Sequence, residues 1–443
     1  MNVLLGKMPT RTQLKAWSIC GQLGLVLMVG VLNAETSESA AFYVAKTGNN
    51  GYSCSQAQSE STPKLTINAG LACLASGDTL FVKGGTYAEW INPNSGSNLP
   101  SGSSGNPTTI KAFSGETVWL APPSGDGAIY IGGNFSYITF DGINLDGSGT
   151  NPSANPSSDG IKLEDTTAGT PSNIIVKNAE IKRFDIGILT GGSFGQFLNL
   201  NIHDQVFSNC TGGCVGYGMY IAGSDNIVDG SWIHDNPLYG IHQYKQSGGS
   251  NRNIIRNNLV NGNGSNSAIL SQGILIGSGD SNVAYNNVVA NNRLGMECGG
   301  GVGTNCKILN NTIFGNYDGS TGVSCIHVGA MSGSVVQNNI CYGNVANVIR
   351  NDGTSSTMDH NILTSSDPGF VNAASGNFHL TSSATTAIDQ GRSQSWSSAI
   401  DKDGVPRPQG SVWDIGAYEY TSSSTSSTSS SSLTPPSNLR VVP

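Results

Sequence analysis

Apolar and polar positions along the chain fall into one recurring phrase, apolar, x, Asn, x, x, apolar. It is seen at Val176 to Ile181, Phe197 to Ile202, Ile255 to Val260, Ala284 to Val289, Ile308 to Ile313 and Val336 to Cys341. A second phrase, a small residue followed by apolar, x, apolar, precedes most copies, as in Gly160-Ile161-Lys162-Leu163, Gly218-Met219-Tyr220-Ile221, Gly273-Ile274-Leu275-Ile276 and Gly295-Met296-Glu297-Cys298. Copies lie roughly 22 to 33 residues apart, a period at which one supersecondary unit stacks on the next. Each unit is too short for two helices and its apolar residues alternate, so its elements are strands. Short strands joined by Gly and Asn turns, with no crossover helix, predict an all-β fold, a right-handed parallel β-helix solenoid. Asparagine tolerates left-handed backbone and can bond to the same amide one coil away. Asn199, Asn257, Asn286, Asn310 and Asn338 are therefore expected to form an internal ladder.

The repeat spans about residues 79–365, in roughly nine or more coils. Residues 35–78 are expected to form an N-terminal cap, with a short helix over Thr66 to Leu74 covering the open sheet edge. The asparagine phrase stops after Asp367, and residues 366–420 are assigned to a C-terminal cap. Residues 421–443 are nearly all Ser and Thr at first and read as a linker and tail. Longer excursions leave the coils at Gly147 to Ser158, Asp204 to Gly216, Lys245 to Asn251 and Asn261 to Ser271, and loops are where solenoids carry specificity.

Residues 1–34 read as a secretory signal: Lys7, Arg11 and Lys15 precede an apolar run from Ala16 to Leu32, with Ala34 at a cut site. The alternative is an uncleaved membrane anchor. Cleavage removes Cys20 and leaves an even number of cysteines, which fits a secreted, extracellular or periplasmic protein. Nearness in sequence suggests the pairs Cys54 with Cys73, Cys210 with Cys214, Cys298 with Cys306, and Cys325 with Cys341, although eight cysteines allow 105 connectivities. Charged residues make up only 11% of the chain and the net charge is -8. Such an anion does not adhere broadly to nucleic acid or to acidic membranes, so contact with a membrane is expected only through the leader. The protein is expected to act as a monomer.

Two stretches carry a family likeness. The opening Phe42 to Ala45, Thr62 to Gly70 and Gly77 to Tyr87 resembles the N-terminal edge of secreted bacterial right-handed parallel β-helix proteins of the pectate-lyase-like superfamily. The ending Asp401-Lys402-Asp403-Gly404 through Arg407-Pro408 to Trp413 to Tyr420 is similar to the C-terminal edge in the same group. The resemblance implies the fold and an extracellular polysaccharide partner. It does not fix an activity, because that superfamily includes lyases, glycoside hydrolases, esterases, epimerases and non-catalytic proteins. The chain lacks the Arg-x-Pro-x-x-Arg of the main pectate lyases, the Asn-x-Asp and Gly-His-Gly of polygalacturonases, and the Asp-Pro-His-Asp of alginate epimerases. No catalytic residue is carried over from these branches.

Aligning the strand after each small residue gives an outward column of Lys162, Leu189, Tyr220, His242, Leu275, Glu297, His327 and Arg350. Two positions on, a second column reads Glu164, Gly191, Ala222, Tyr244, Gly277, Gly299 and Gly329. Bulky titratable groups beside glycines suit a groove for an extended polymer; alternatively, the glycines merely turn the chain. A uronate lyase needs a base, a group that neutralises the carboxylate, and an acid for the leaving oxygen. His242 or Lys245 is the candidate base, Tyr220 or Tyr244 the acid, and Arg350 or a bound cation the neutraliser. Lys162, Glu297, His327 and Arg350 are assigned to substrate binding.

Glu297 has no matching outward carboxylate on an adjacent coil, which favours elimination over the two-carboxylate chemistry of a glycoside hydrolase. A non-catalytic polysaccharide-binding or adhesion protein is the remaining alternative. Asp159, Glu164 and Asp165 offer hard oxygen donors for Ca²⁺, against a solvated turn. His203 and His234 read as turn caps.

Overall fold

The computed structural model describes residues 39–123, 127–150, 158–207, 215–267, 269–394 and 399–422. The leader, the pairing of Cys210 with Cys214 and nearly all of the Ser/Thr tail lie outside them. Among the described residues, three parallel sheets run the length of one compact unit. Sheet A has twelve strands from Ala41–Val44 to Thr357–Asp359, sheet B eleven from Gly85–Tyr87 to Ile362–Thr364, and sheet C nine from Gly127–Gly132 to Ile349–Asn351. From Gly127–Gly132 onward the chain visits C, A and B in turn, and each strand pairs with its counterpart one coil on. This is the expected right-handed parallel β-helix. Its interior is filled by the inward side of the coil strands, with Ile110, Leu145, Ile188, Ile233, Ile274 and Ile313 all buried in one continuous core.

Most corners of the central coils are made the same way, with one residue in the left-handed conformation. Asn257, Asn286, Asn310 and Asn338 have φ of 51 to 58°, turning the chain from sheet A to sheet B. Asp204, Asp235 and Asn291, with φ of 50 to 54°, do so after sheet B, and Asp225, Arg252 and Ser281, with φ of 54 to 61°, before sheet A. Asn and Asp are the residues that accept this conformation most readily. The corner residue points outward, and the residue after it points in.

The internal ladder is therefore not the one expected. It is shifted by one residue, to Asn258, Asn287, Asn311, Asn339 and Asn361, where Asn287 Oδ1 accepts from both the backbone N–H and the side-chain amide of Asn258 at 3.0 Å. Asn287 in turn donates to Asn311 Oδ1 and to the Ile255 carbonyl. Two further ladders, Asn226-Asn253-Asn282 and Asn236-Asn263-Asn292-Asn316-Asn344, line the other corners. The residues expected inside serve outer contacts instead: Asn199 bonds Asn178 at 2.8 Å, and Asn257 bonds Asp229 at 2.8 Å. Asn286, Asn310 and Asn338 reach carbonyls of the C-terminal segment, at Ile400, Asp414 and Arg392.

The helix at the N-terminal end is shorter than expected, Ile67–Leu71. Thr66 caps it by accepting from the Ala69 N–H, and the Glu89 carboxylate accepts from the Ile67 and Asn68 N–H groups. Ile67 and Leu71 join the core, and Cys54–Cys73 ties the adjoining loop to the helix end. Two more of the expected bridges, Cys298–Cys306 and Cys325–Cys341, are buried within the coils.

The C-terminal segment begins with an antiparallel pair, Phe370–Asn372 and Asn377–Leu380, and packs Phe370, Phe378, Ile415 and Ala417 against Val288, Ala290 and Ile340. It lies along the outer face of sheet B. A fully buried ion pair, Arg407 to Glu419 at 2.7 Å, holds it together, with the same guanidinium donating to the carbonyls of Asp414 and Gly416. The segment's core contacts fall on sheet B, and its bonds to Asn286, Asn310 and Asn338 fall on the corner between sheets A and B.

Candidate functional site

Strand register confirms the first outward column residue by residue. Across sheet C, Tyr130 pairs with Lys162, then Leu189, Tyr220, His242, Leu275, Glu297, His327 and Arg350 in unbroken succession. Successive members are one strand spacing apart, about 4.8 Å. In the second column the N–H groups of Gly191, Ala222, Tyr244, Gly277, Gly299, Gly329 and Asp352 each donate to the carbonyl of the residue just before the column member one coil back, from Leu163 to Val328.

None of Gly191, Gly277, Gly299 and Gly329 has a positive φ, so they are not there to turn the chain. Space is the reason. A Cβ on Gly277 would meet the Tyr244 ring at 2.8 Å, and one on Gly299 the Gly329 backbone at 2.9 Å. The glycines let ring and backbone pack flat beside the bulky column, and Gly277, Gly299 and Gly329 are themselves buried.

The candidates divide into three clusters. At the N-terminal end, Tyr130 donates to Glu164 at 2.5 Å, a bond that pushes the phenol up to about 12, and Lys162 pairs with the other Glu164 oxygen at 3.4 Å. Asp165 accepts from Thr170 at 2.5 Å, and Asp159 is buried at the start of its strand. No group of three or more His, Cys, Asp or Glu side chains able to hold a metal occurs among the described residues. A Ca²⁺ site requires six or more oxygens free to converge on the ion. With Glu164 spoken for by a phenol and an ammonium, these three acids do not fit it.

In the middle, His242 sits inside a cage of tyrosines. Tyr239 stacks on its ring at 4.4 Å and Tyr244 at 5.6 Å, while Tyr220 at 4.8 Å and Tyr217 at 5.3 Å meet it edge-on. Leu238, Ile186 and Ile269 pack beneath and beside them. Burial lowers the imidazole to about 4, and its Nδ1 has no hydrogen-bond partner. The same burial raises the phenols of Tyr217, Tyr220 and Tyr239, the last up to about 12 with help from the Glu297 charge. At neutral pH the cage is uncharged throughout. Lys245 follows Tyr244 at the strand end; its backbone N–H is held by Ser278, and its ammonium makes no hydrogen bond or ion pair among the described residues.

At the C-terminal end, His327 lies between two carboxylates. Its Nδ1 is 3.2 Å from Glu297 and its Nε2 is 3.0 Å from Asp352. Arg350 bonds Asp352 at 2.9 Å and the Thr321 carbonyl at 3.3 Å, and Gln272 donates to the far oxygen of Glu297. The Glu297 hydrogen bond, aided by Asp352, raises the His327 imidazole above its ordinary value; the His327 bond lowers Asp352. No carboxylate of these columns stands on a coil adjacent to Glu297, as expected, but Asp352, two coils on and in the neighbouring column, reaches the other side of His327.

Sequence reasoning missed Tyr217, Tyr239 and Asp352. The two tyrosines were signalled by a repeated Tyr-Gly opening two coils, Tyr217-Gly218 and Tyr239-Gly240. His203 and His234 lie elsewhere, on sheet B. They pair across adjacent strands with rings 4.7 Å apart, each bonded to the aspartate that turns the following corner.

No protein-family model matches the chain, and no curated protein does. Among solved structures it is similar to the pectate lyase Pel9A, 18% identical with a TM-score of 0.60 over 86% of this chain and 96% of that one. A rhamnogalacturonan lyase is 15% identical, with a TM-score of 0.56 over 78% of this chain and 94% of that one. The GH136 lacto-N-biosidase from Eubacterium ramulus is 12% identical, with a TM-score of 0.51 over 73% and 67%. At these identities the likeness is one of fold.

Proposed function

We propose that the protein is a secreted carbohydrate-active β-helix protein whose sheet C groove takes an extended extracellular polysaccharide, and that it cleaves a uronate-containing polymer by β-elimination. One observation carries this reading: an outward column of mostly aromatic and titratable side chains, interrupted by Leu189 and Leu275, runs beside a second column in which close packing explains Gly277 and Gly299. The lyase and glycosidase names of the structural neighbours support a carbohydrate ligand. The bridges Cys54–Cys73, Cys298–Cys306 and Cys325–Cys341 support an oxidising compartment.

In this reading the Lys245 ammonium neutralises the carboxylate of the sugar to be cleaved. His242, neutral above about pH 4, accepts the proton from C5. The C–H electrons form the C4–C5 double bond as the C4–O bond breaks, and the phenol of Tyr220 or Tyr244 protonates the departing oxygen. Hydrolysis is less well served, because it needs one carboxyl group kept protonated. The nearest pair, Glu297 and Asp352, are both bonded to His327, which holds Asp352 low.

The test is incubation with a panel of uronic-acid polymers while unsaturated products are followed by ultraviolet absorbance. Lys245→Ala and His242→Ala are expected to lower the rate by about 10² to 10⁴ with the fold intact. Absence of product from every polymer would overturn the lyase reading. It would leave a non-catalytic polysaccharide-binding protein, the reading favoured by an imidazole enclosed by four tyrosines and too weak a base for efficient proton abstraction near neutrality.

A further inference from the structure

We infer that the groove selects a polysaccharide whose acidic sugars are isolated between neutral ones, with Lys245 receiving a single carboxylate and the tyrosine cage receiving the ring of the neutral neighbour. This rests on the reading of sheet C as a polysaccharide groove, and it follows from how the charges of that groove are already spent.

Each cation of the two outer columns faces a carboxylate of the protein, whereas Lys245, just past Tyr244, faces none among the described residues. Lys162 is paired with Glu164, Arg350 with Asp352, and His327 with both Glu297 and Asp352. These clusters are close to neutral as they stand. They cannot take up further carboxylates without giving up the bonds they have, and Glu164, Glu297 and Asp352 repel an incoming anion. A polymer charged at every sugar would therefore lay several carboxylates along the coils and find, among the described residues beside these columns, one free cation, Lys245.

Beside that cation the surface changes character. Tyr220, Tyr239, Tyr244 and His242 form a half-buried aromatic group without net charge. Aromatic faces pair a large apolar area with a polar edge, which suits the C–H face of an uncharged pyranose and its hydroxyls. One coil further, Leu275 and Gly277 are uncharged and buried, and the Glu297 cluster begins after them. Chemistry along the groove thus alternates: one positive point, an apolar platform, then a self-neutralised polar patch.

The experiment measures binding of three size-matched oligosaccharides by calorimetry at low salt: a homo-oligouronate, one alternating uronate with neutral sugar, and a neutral one. The full secreted chain and its Lys245→Gln and Tyr220→Ala variants are compared, each checked for an unchanged melting temperature. The alternating oligomer is expected to bind about tenfold more tightly than the homo-oligouronate. Lys245→Gln should bring it down to the level of the neutral oligomer, and Tyr220→Ala should weaken both. A charge-assisted contact of this kind is worth a factor of about ten or more.

Equal or tighter binding of the homo-oligouronate, an unaffected Lys245→Gln variant, or no binding of any oligomer would each overturn the inference. The lyase reading is scored separately by unsaturated product. Tight binding of the alternating oligomer without product sinks only the lyase reading, whereas product from a homopolyuronate bound independently of Lys245 sinks this one and removes the neutralising role from Lys245 while leaving elimination itself standing.

Discussion

Glu297 Oε1 and His327 Nδ1 lie 3.2 Å apart on adjacent coils of sheet C, so a carboxylate and an imidazole far apart in sequence share one hydrogen bond across the groove floor. Because this bond raises the folded-state value of His327, its stabilisation is fully present below the unfolded value of about 6.5 and is lost as pH rises through the folded value. The melting temperature is expected to fall as pH is raised above about 6.5. In His327→Gln that slope should flatten; an unchanged slope would show that the pair contributes nothing.

His242 titrates in the opposite sense. Its folded value near 4 lies below the unfolded value, so the unfolded chain takes up a proton that the folded chain refuses. Stability contributed by the neutral ring is present above about pH 6.5 and is lost as pH falls towards 4. A histidine NMR titration should find one imidazole with a midpoint near 4, absent in His242→Phe. A full set of midpoints near 6.5 would contradict the enclosed ring.

Adjacent asparagines should differ sharply in cost. Asn258 accepts from Ser231 and donates to Val228 and Asn287 inside the core, so Asn258→Ala strands buried polar groups at about 1 to 3 kcal/mol each. Asn257 is a half-exposed corner with φ of 57°, where glycine fits, so Asn257→Gly should cost about 1 kcal/mol or less. Thermal melts of the two variants decide it; equal losses would return the ladder to the outer register.

The disulfides should open in order of burial. Cys54 is exposed, whereas Cys298, Cys306, Cys325 and Cys341 are enclosed in the core. Mild reductant followed by alkylation and mass spectrometry should label Cys54 and Cys73 first. The two coil bridges should stay closed until the protein unfolds, and early labelling of Cys325 would count against their burial.

These contrasts also mark what the sequence could say. The sheet C column was legible down to each residue, because alternation fixes which side chain faces out and a slip of one residue would bury Lys162, Glu297 and Arg350. The asparagine register was not, since in an Asn-Asn pair either member can adopt the left-handed corner, and only the fold decides that the first turns out and the second in. Asp352 escaped because its coil, Ile349-Arg350-Asn351-Asp352, lacks the small residue that opened the others. The cage escaped because Tyr217 and Tyr239 precede the glycines from which the strands were counted, and their meeting with His242 depends on side-chain reach rather than on period.

A stack of coils held only by nearest-neighbour contacts can lose its end members one at a time. The C-terminal segment, bonded to Asn286, Asn310, Thr312 and Asn338 on successive coils and locked by Arg407 and Glu419, adds a lengthwise batten across those coils. No coil beneath it can peel away until the batten itself lifts. Fraying from that end is thereby converted into a single concerted opening, and the Glu297, His327 and Arg350 strands, which belong to the same coils, inherit a rigidity that their own short hydrogen-bond ladders could not supply.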